Sequence, residues 1–263
     1  MKDQTLITTI DARGIARLTM NRPEIRNAFN GALIGDICDA MGRLSADQNV
    51  RVIVLTGAGP AFSAGADLAM MRAVADYSPT ENKDDARRLA HMLHAIYCSP
   101  KPTVALVNGP AMGGGVGLVA ACDIAIAADT AFFALTEARL GLIPAVISPF
   151  VVEAIGARQA RRFFLTGERF DAETARRLGL VHMVAMPAQL EATLDGVIGD
   201  LLACGPLAQN EAKDLIRSVQ NRAVTEAVME DTAGRIARLR ASPEGKEGVT
   251  AFLEKRKPAW VKR

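Results

Sequence analysis

The chain has 263 residues, room for one large domain or two unequal parts, and its 49% hydrophobic content supplies a full core. Lysine and arginine number 31 against 29 acids, so no basic field exists to hold nucleic acid by phosphate neutralisation. Aromatics make up only 5%, and the cysteines Cys38, Cys98, Cys122 and Cys204 lie far apart, which disfavours a stacking platform, a disulfide framework and a zinc knuckle. The opening MKDQTLITTI has no apolar signal core. The stretch Gly109–Ala121 is too short and glycine-rich to span a bilayer. The expectation is a soluble, cytoplasmic protein.

Leu6, Thr8 and Ile10 alternate, and extended character resumes over Ile15–Met20 after Asp11–Gly14, which predicts a hairpin. Asn21-Arg22-Pro23 breaks it. Helical spacing follows at Leu33, Ile37, Ala40, Met41 and Leu44. The run VRVIVLTG (50–57) predicts a buried strand ending in the glycine-rich GAGPAFSAGADL (57–68). Residues 78–88 are polar and predict an exposed loop running into a helix through Leu89, Leu93 and Ile96. TVALVNG (103–109) is a second buried strand, PAMGGGVGLVAA a glycine turn entering a helix, and CDIAIAAD (122–129) a third strand. From about Val151 the pattern is helical. Pro187, Gly205-Pro206, Val224 and Ser242-Pro243-Glu244 mark successive helix starts. An α/β part thus fills three quarters of the chain and a helical tail the rest.

Familiar phosphate cradles are absent. No G-x-x-x-x-G-K-[ST] occurs, and GGGVG at 113–117 does not fit G-x-G-x-x-G. AFSAG (61–65) lacks the first glycine of a nucleophile elbow, so a serine hydrolase using Ser63 is a minor reading, with His91, His94 or His182 as its base. Two glycine loops, if their strands are adjacent in the sheet, have another use. The amides of Ala66 and Gly114 could meet at one carbonyl oxygen, and tight helix–strand packing is an equal alternative. Glu137 sits between apolar stretches, where a carboxyl gains a raised pKa and exchanges protons near neutrality; an ion pair with Arg139 competes with that reading. Asp67 and Asp123 border the glycine loops and read as loop-fixing acceptors. His91 and His94 have a spacing a metal could use, but no third ligand lies nearby, so no metal is expected.

The segments NRPEIRNAF (21–29), AFSAGADL (61–68), NGPAMGGGVGLVAACD (108–123) and LTEARLGLIP (135–144) resemble, in order and spacing, the enoyl-CoA hydratase/isomerase (crotonase) family. DAETARRLGLV (171–181) and AFLEKRKPAW (251–260) resemble further landmarks, so the likeness covers nearly the whole chain. It implies an α/β fold, a crotonase-like spiral of ββα turns with a C-terminal helical trimerisation region. The expected division is 1–200 for the spiral core with the CoA and acyl site and 201–263 for the helical oligomerisation region. It implies a homo-trimer or a dimer of trimers, with neither nucleic acid nor membrane as partner. CoA enters as part of the substrate, with no separate cofactor.

The resemblance also implies roles. The Ala66 and Gly114 amides would polarise an acyl-CoA thioester carbonyl. Ala28, Ala64 and Leu68 match positions along the CoA, with Arg26 and Asp67 beside them. Phe252 and Lys255 match tail positions that approach a neighbouring subunit's CoA. Family hydratases with two acids place one in the second glycine loop and another about 20 residues later. Here Glu137 matches the second, and the first position is Gly117. A single glutamate suits an isomerase, or a hydratase in which one acid both orients water and returns its proton.

The stretches 140–176 and 238–260 resemble the bacterial methylglutaconyl-CoA hydratase group of leucine breakdown, which converts 3-methylglutaconyl-CoA to 3-hydroxy-3-methylglutaryl-CoA. Isohexenylglutaconyl-CoA hydratases share the glutaconyl head. A distal carboxylate calls for a cation or several hydrogen-bond donors, and Arg72, Lys83, Arg87, Arg88 and Ser148 are the candidates. A non-enzymatic acyl-CoA or RNA-associated scaffold completes the alternatives, and the balanced charge argues against RNA.

Overall fold

A computed structural model describes residues 4–74 and 76–261. The opening hairpin is present, with β1 (Leu6–Ile10) antiparallel to β2 (Ile15–Met20). Helix α1 (Gly31–Ala46) starts where the Asn30 side chain accepts from Leu33 N–H, and it buries the stripe Leu33, Ile34, Ile37, Ala40, Met41 and Leu44. Strand β3 (Val52–Gly57) is buried throughout and leads through the first glycine loop into α2 (Leu68–Val74).

The next segment departs from the sequence expectation. Residues 79–88 are not a loop but the first half of α3 (Pro79–Tyr97). Ser78 and Glu81 form a reciprocal capping box, and Pro79 sits in the first turn, where its missing N–H costs nothing. Exposure of the charged face hid the helix from an apolar pattern.

Strand β4 (Thr103–Val107) and the short β5 (Ala111–Met112) flank the start of the second glycine loop, which opens α4 (Gly114–Ala121). Strands β6 (Ile124–Ala128) and β7 (Phe132–Ala134) follow, then α5 (Ser148–Thr166), β8 (Arg169–Asp171), α6 (Ala172–Leu178) and β9 (Met183–Ala185). The two short strands β8 and β9 interrupt a region expected to be wholly helical. The tail consists of α7 (Leu190–Ala203), α8 (Pro206–Val219), α9 (Glu226–Ala241) and α10 (Pro243–Leu253).

Among the described residues, one sheet runs β1-β2-β3-β4-β6-β9, parallel from β2 onward, and a smaller sheet runs β5-β7-β8. Both faces of the larger sheet are covered, so its central strands are apolar on successive residues. Leu18, Ile53, Leu55, Ala105 and Val107 face the cluster formed with α1, α3 and α4. Val52, Val54, Val104, Leu106 and Ile126 point the other way, onto Leu190, Leu194, Val197 and Ile198 of α7.

The tail is anchored at the opposite end of β3 from the glycine loops. Arg51, just before β3, donates to Cys204 O (2.9 Å) and Trp260 O (3.2 Å), and Trp260 Nε1 donates to Ala203 O (3.0 Å). Lys213 of α8 reaches Asp123 (2.6 Å) and Lys101 O (3.1 Å). No described helix is long and apolar enough to cross a membrane.

Candidate active site

Parallel pairing of β3 and β4 puts both glycine loops at the same end of the sheet. In the first loop, Ala66 forms a parallel bridge with Phe29. Phe29 N–H donates to Gly65 O (2.6 Å) and Asp67 N–H donates to Phe29 O (2.9 Å). A trans peptide aims its N–H opposite to its C=O, so the Ala66 N–H leaves away from residue 29. Among the described residues it has no acceptor.

The second loop makes the same offer by other means. Gly113 has φ 49 and ψ −117, a conformation closed to residues with a side chain, and its carbonyl accepts from Val116 N–H (2.9 Å) at the first turn of α4. The Gly114 N–H therefore points out of the helix start and is likewise unclaimed. The loops meet: a Cβ added to Gly65 would lie 3.5 Å from Gly114 N. A Cβ added to Gly114 itself would press to 2.6 Å on the Phe29 ring.

The smaller sheet brings in the acid. Strand β5 pairs with β7, and Gly113 N–H donates to Ala134 O (2.8 Å). The chain then turns into a 3-10 turn that begins at Glu137. A Cβ on Gly113 would lie only 3.1 Å from Glu137 Oε1, so bare backbone is what lets this carboxyl approach the second glycine loop at Gly113. Glu137 Oε2 is buried without a hydrogen-bond partner. Burial pushes the carboxyl above its ordinary pKa, opposed by a hydrogen bond from its own N–H. The ion pair with Arg139 does not form; Arg139 Nε faces Thr166 O instead.

Ser63 does not stand as a nucleophile. It is wholly buried, and its hydroxyl donates to Asn27 O (2.9 Å). None of the three histidines contacts it: His94 faces Cys98 Sγ, His182 Nδ1 accepts from Ala125 N–H, and His91 is exposed. Gly117 is buried, and a side chain there would strike Ile147 Cγ2 and lie 2.9 Å from Ile147 Cβ. An isoleucine thus closes the space in front of this position.

The sequence of residues 11–263 matches the sequence model of the enoyl-CoA hydratase/isomerase family. The chain belongs to that family. An enoyl-CoA hydratase of Alternaria alternata is 38% identical over 213 residues, 79% of this chain and 68% of its own. A crotonyl-CoA hydratase of Syntrophomonas wolfei is 32% identical over 251 residues, 95% of each chain. A crystal structure of an enoyl-CoA hydratase from Shewanella pealeana superposes with TM-score 0.95 at 39% identity, covering 98% of this chain and 97% of that one. The chain is accordingly a family enzyme with the crotonase-type α/β fold and a helical C-terminal region.

The other positions carried over from the family divide into two groups. Arg26 and Ala64 sit by the first loop, joined by Ala64 N–H donating to Arg26 O (2.8 Å). Ala28 is buried, with its carbonyl accepting from Arg22 (2.6 Å), and Leu68 is 71% exposed at the start of α2. Asp67 accepts from Arg22 (2.8 Å) and Ala69 N–H (2.8 Å), so its side chain fixes the loop. Burial alone would raise its pKa, and these bonds outweigh burial and hold it below the usual carboxylate range. Phe252 and Lys255 belong to the second group. Phe252 lies in the last turn of α10 and Lys255 just beyond it, on the tail that Trp260 fastens to the far end of β3, and Phe252 is 81% exposed.

The candidates for a distal carboxylate also separate. Ser148 is no loop residue but begins α5, with its hydroxyl given to Ala145 O (2.7 Å). Arg87 and Arg88 pair with Asp84 and Asp85 on α3. Arg72 on α2 and Lys83 on α3 have no ion-pair partner among the described residues.

Proposed function

We propose that this family enzyme hydrates a 3-methylglutaconyl-type enoyl-CoA, with Glu137 as its single acid/base and the Ala66 and Gly114 amides binding the thioester oxygen. The observation that carries the mechanism is the half-buried Glu137, one of whose carboxyl oxygens has no hydrogen-bond partner while the other packs on the bare backbone of Gly113, the residue before Gly114. The glutaconyl head is supported by the resemblance of residues 140–176 and 238–260, and Arg72 and Lys83 are the candidate cations for its distal carboxylate.

In this reading the carboxylate form of Glu137 takes a proton from water as the water oxygen bonds to C3. The electron pair of the C2–C3 double bond moves to the thioester oxygen, where two N–H groups meet the developing charge. Donors of this kind each contribute about 3 kcal/mol to lowering such a barrier. Glu137, now protonated, returns the proton to C2. No second carboxyl takes part.

Ile147 in front of Gly117 also favours a second reading, an isomerase that moves one proton between carbons through Glu137. A trimer or a dimer of trimers would bring Phe252 and Lys255 of one copy to the CoA of another.

A panel of enoyl-CoAs that includes 3-methylglutaconyl-CoA and crotonyl-CoA tests the assignment. Loss of ultraviolet absorbance of the conjugated thioester is followed together with product mass. Hydration fastest on 3-methylglutaconyl-CoA is expected. A preference for crotonyl-CoA removes the glutaconyl assignment, and a shifted double bond without added oxygen makes the enzyme an isomerase.

A further inference from the structure

We infer that Arg22, Asn27 and Ser63 are positioning residues: a buried hydrogen-bond network, remote from the reacting atoms, that fixes the direction of the Ala66 N–H before substrate arrives. The inference rests on the proposed role of Ala66 as a donor to the thioester oxygen.

The network clamps the chain on both sides of Ala66. On the upstream side, Ser63 Oγ accepts from Gly65 N–H (3.3 Å) while donating to Asn27 O (2.9 Å). Ser63 also bonds through its backbone, its N–H donating to Pro110 O (3.2 Å) and its O accepting from Met112 N–H (2.9 Å). One residue thereby ties the first glycine loop to the turn at Asn27 and to the entry of the second loop. On the downstream side, Asp67 is held by the Arg22 guanidinium, whose other nitrogen donates to Ala28 O (2.6 Å).

Asn27 joins the two halves. It is fully buried and holds φ 55, a left-handed conformation in which asparagine is among the few tolerated side chains. Its Nδ2 donates to Ala58 O (2.9 Å) and Ala61 O (2.8 Å), and its Oδ1 accepts from Arg22 N–H (2.9 Å). All polar atoms of the Asn27 side chain are thus satisfied within the protein, as an interior amide requires. None of these side-chain atoms faces the Ala66 N–H. Their effect passes through the Gly65–Ala66 peptide, whose carbonyl is pinned by Phe29 N–H. Fixing that plane removes the cost of orienting a donor during the reaction, which is what gives preorganised amides their catalytic value.

The test uses the full-length enzyme with Ser63→Ala, Arg22→Met and Arg22→Lys. Its probe is a cinnamoyl-CoA with a para-dimethylamino group, whose absorption moves to longer wavelength as the thioester carbonyl is polarised. Ser63→Ala and Arg22→Met are expected to lower kcat about tenfold, the scale of one lost hydrogen bond, with KM within about twofold. Because one of two donors is misdirected, they are expected to keep only about half of the parent's wavelength shift. Arg22→Lys, which keeps a cation beside Asp67, should recover part of both.

Arg22→Met lies at the rim and supplies an independent arm should the buried Ser63→Ala fail to fold. A fall in kcat with the full wavelength shift retained would make the network structural and overturn the inference. Unchanged kcat and unchanged shift would overturn it too while leaving Ala66 in its role. A parent enzyme that produces no shift removes the oxyanion role of Ala66, and the positioning role with it.

Discussion

The two glycine loops present one N–H each, yet they are held in different ways. The loop at 57–68 is fixed by side chains brought from outside it, Arg22 and Asn27, and by Ser63 within it. The loop at 109–117 is held without side-chain hydrogen bonds among the described residues: Gly113 adopts a conformation that excludes a side chain, and Gly114 is pressed against the Phe29 ring. Side-chain scaffolding is graded, since each bond can be removed singly. Close backbone approach is all-or-none, since a single methyl group fills the gap. The first loop should therefore degrade in steps when its side-chain bonds are removed, whereas a side chain added at Gly114 should make the second fail at once.

The largest effect is expected from Gly114→Ala. Its Cβ would meet the Phe29 ring at 2.6 Å and displace the amide, and loss of an oxyanion donor lowers kcat by about 10²–10³. Steady-state kinetics with a measured CoA affinity checks it, and a loss no larger than that of Ser63→Ala would break the distinction between the loops.

Glu137→Gln comes next, with an expected fall in hydration of about 10² and CoA binding retained. An active Gln variant removes Glu137 from its acid/base role. This substitution has a second readout. The raised pKa means that the protonated carboxyl favours the folded state, so its contribution is complete below the ordinary glutamate pKa and is lost as pH rises through the raised one. The parent should therefore lose thermal stability relative to Glu137→Gln between acidic and neutral pH. The acidic limb of kcat/KM should lie above the ordinary glutamate pKa. Melting curves and rate profiles across that range test both.

Gly117→Glu is the mildest of the three in its effect on rate. Restoring an acid at this position forces it against Ile147 and Leu93, and overpacking of this kind costs about 1–3 kcal/mol. Lower stability in denaturant with no gain in hydration is expected. A faster enzyme would show that the space opens, and would end the single-acid reading.

Much of this was legible beforehand. The β-branched runs at 52–57 and 103–107 announced buried strands, and the glycines after each pointed to close backbone approach, but that the two strands are neighbours came only from the fold. Glu137 was legible as an acid in apolar surroundings, but its partner was not, because the contact with Gly113 depends on β7 pairing beside β5. The short motif around Ser63 offered a nucleophile only as a minor reading and gave no sign of the bonds the residue makes. Only the fold shows that its hydroxyl turns inward, to Asn27, which lies 36 residues away. The helix from Pro79 was hidden for a local reason: its first turns are solvated, and its signal was the Ser78–Glu81 capping pair rather than an apolar stripe.

The isoleucine in front of Gly117 has a stereochemical consequence. An enoyl thioester is planar, and a planar alkene has two faces. In the proposed hydration, with Ile147 filling the space in front of Gly117 and a lone carboxyl serving as both acceptor and donor of the proton, the hydroxyl at C3 and the hydrogen at C2 would arrive on the same face. In heavy water the product would carry its deuterium at C2 on the side of the new oxygen, a record of Glu137 written into the chirality of the molecule that leaves.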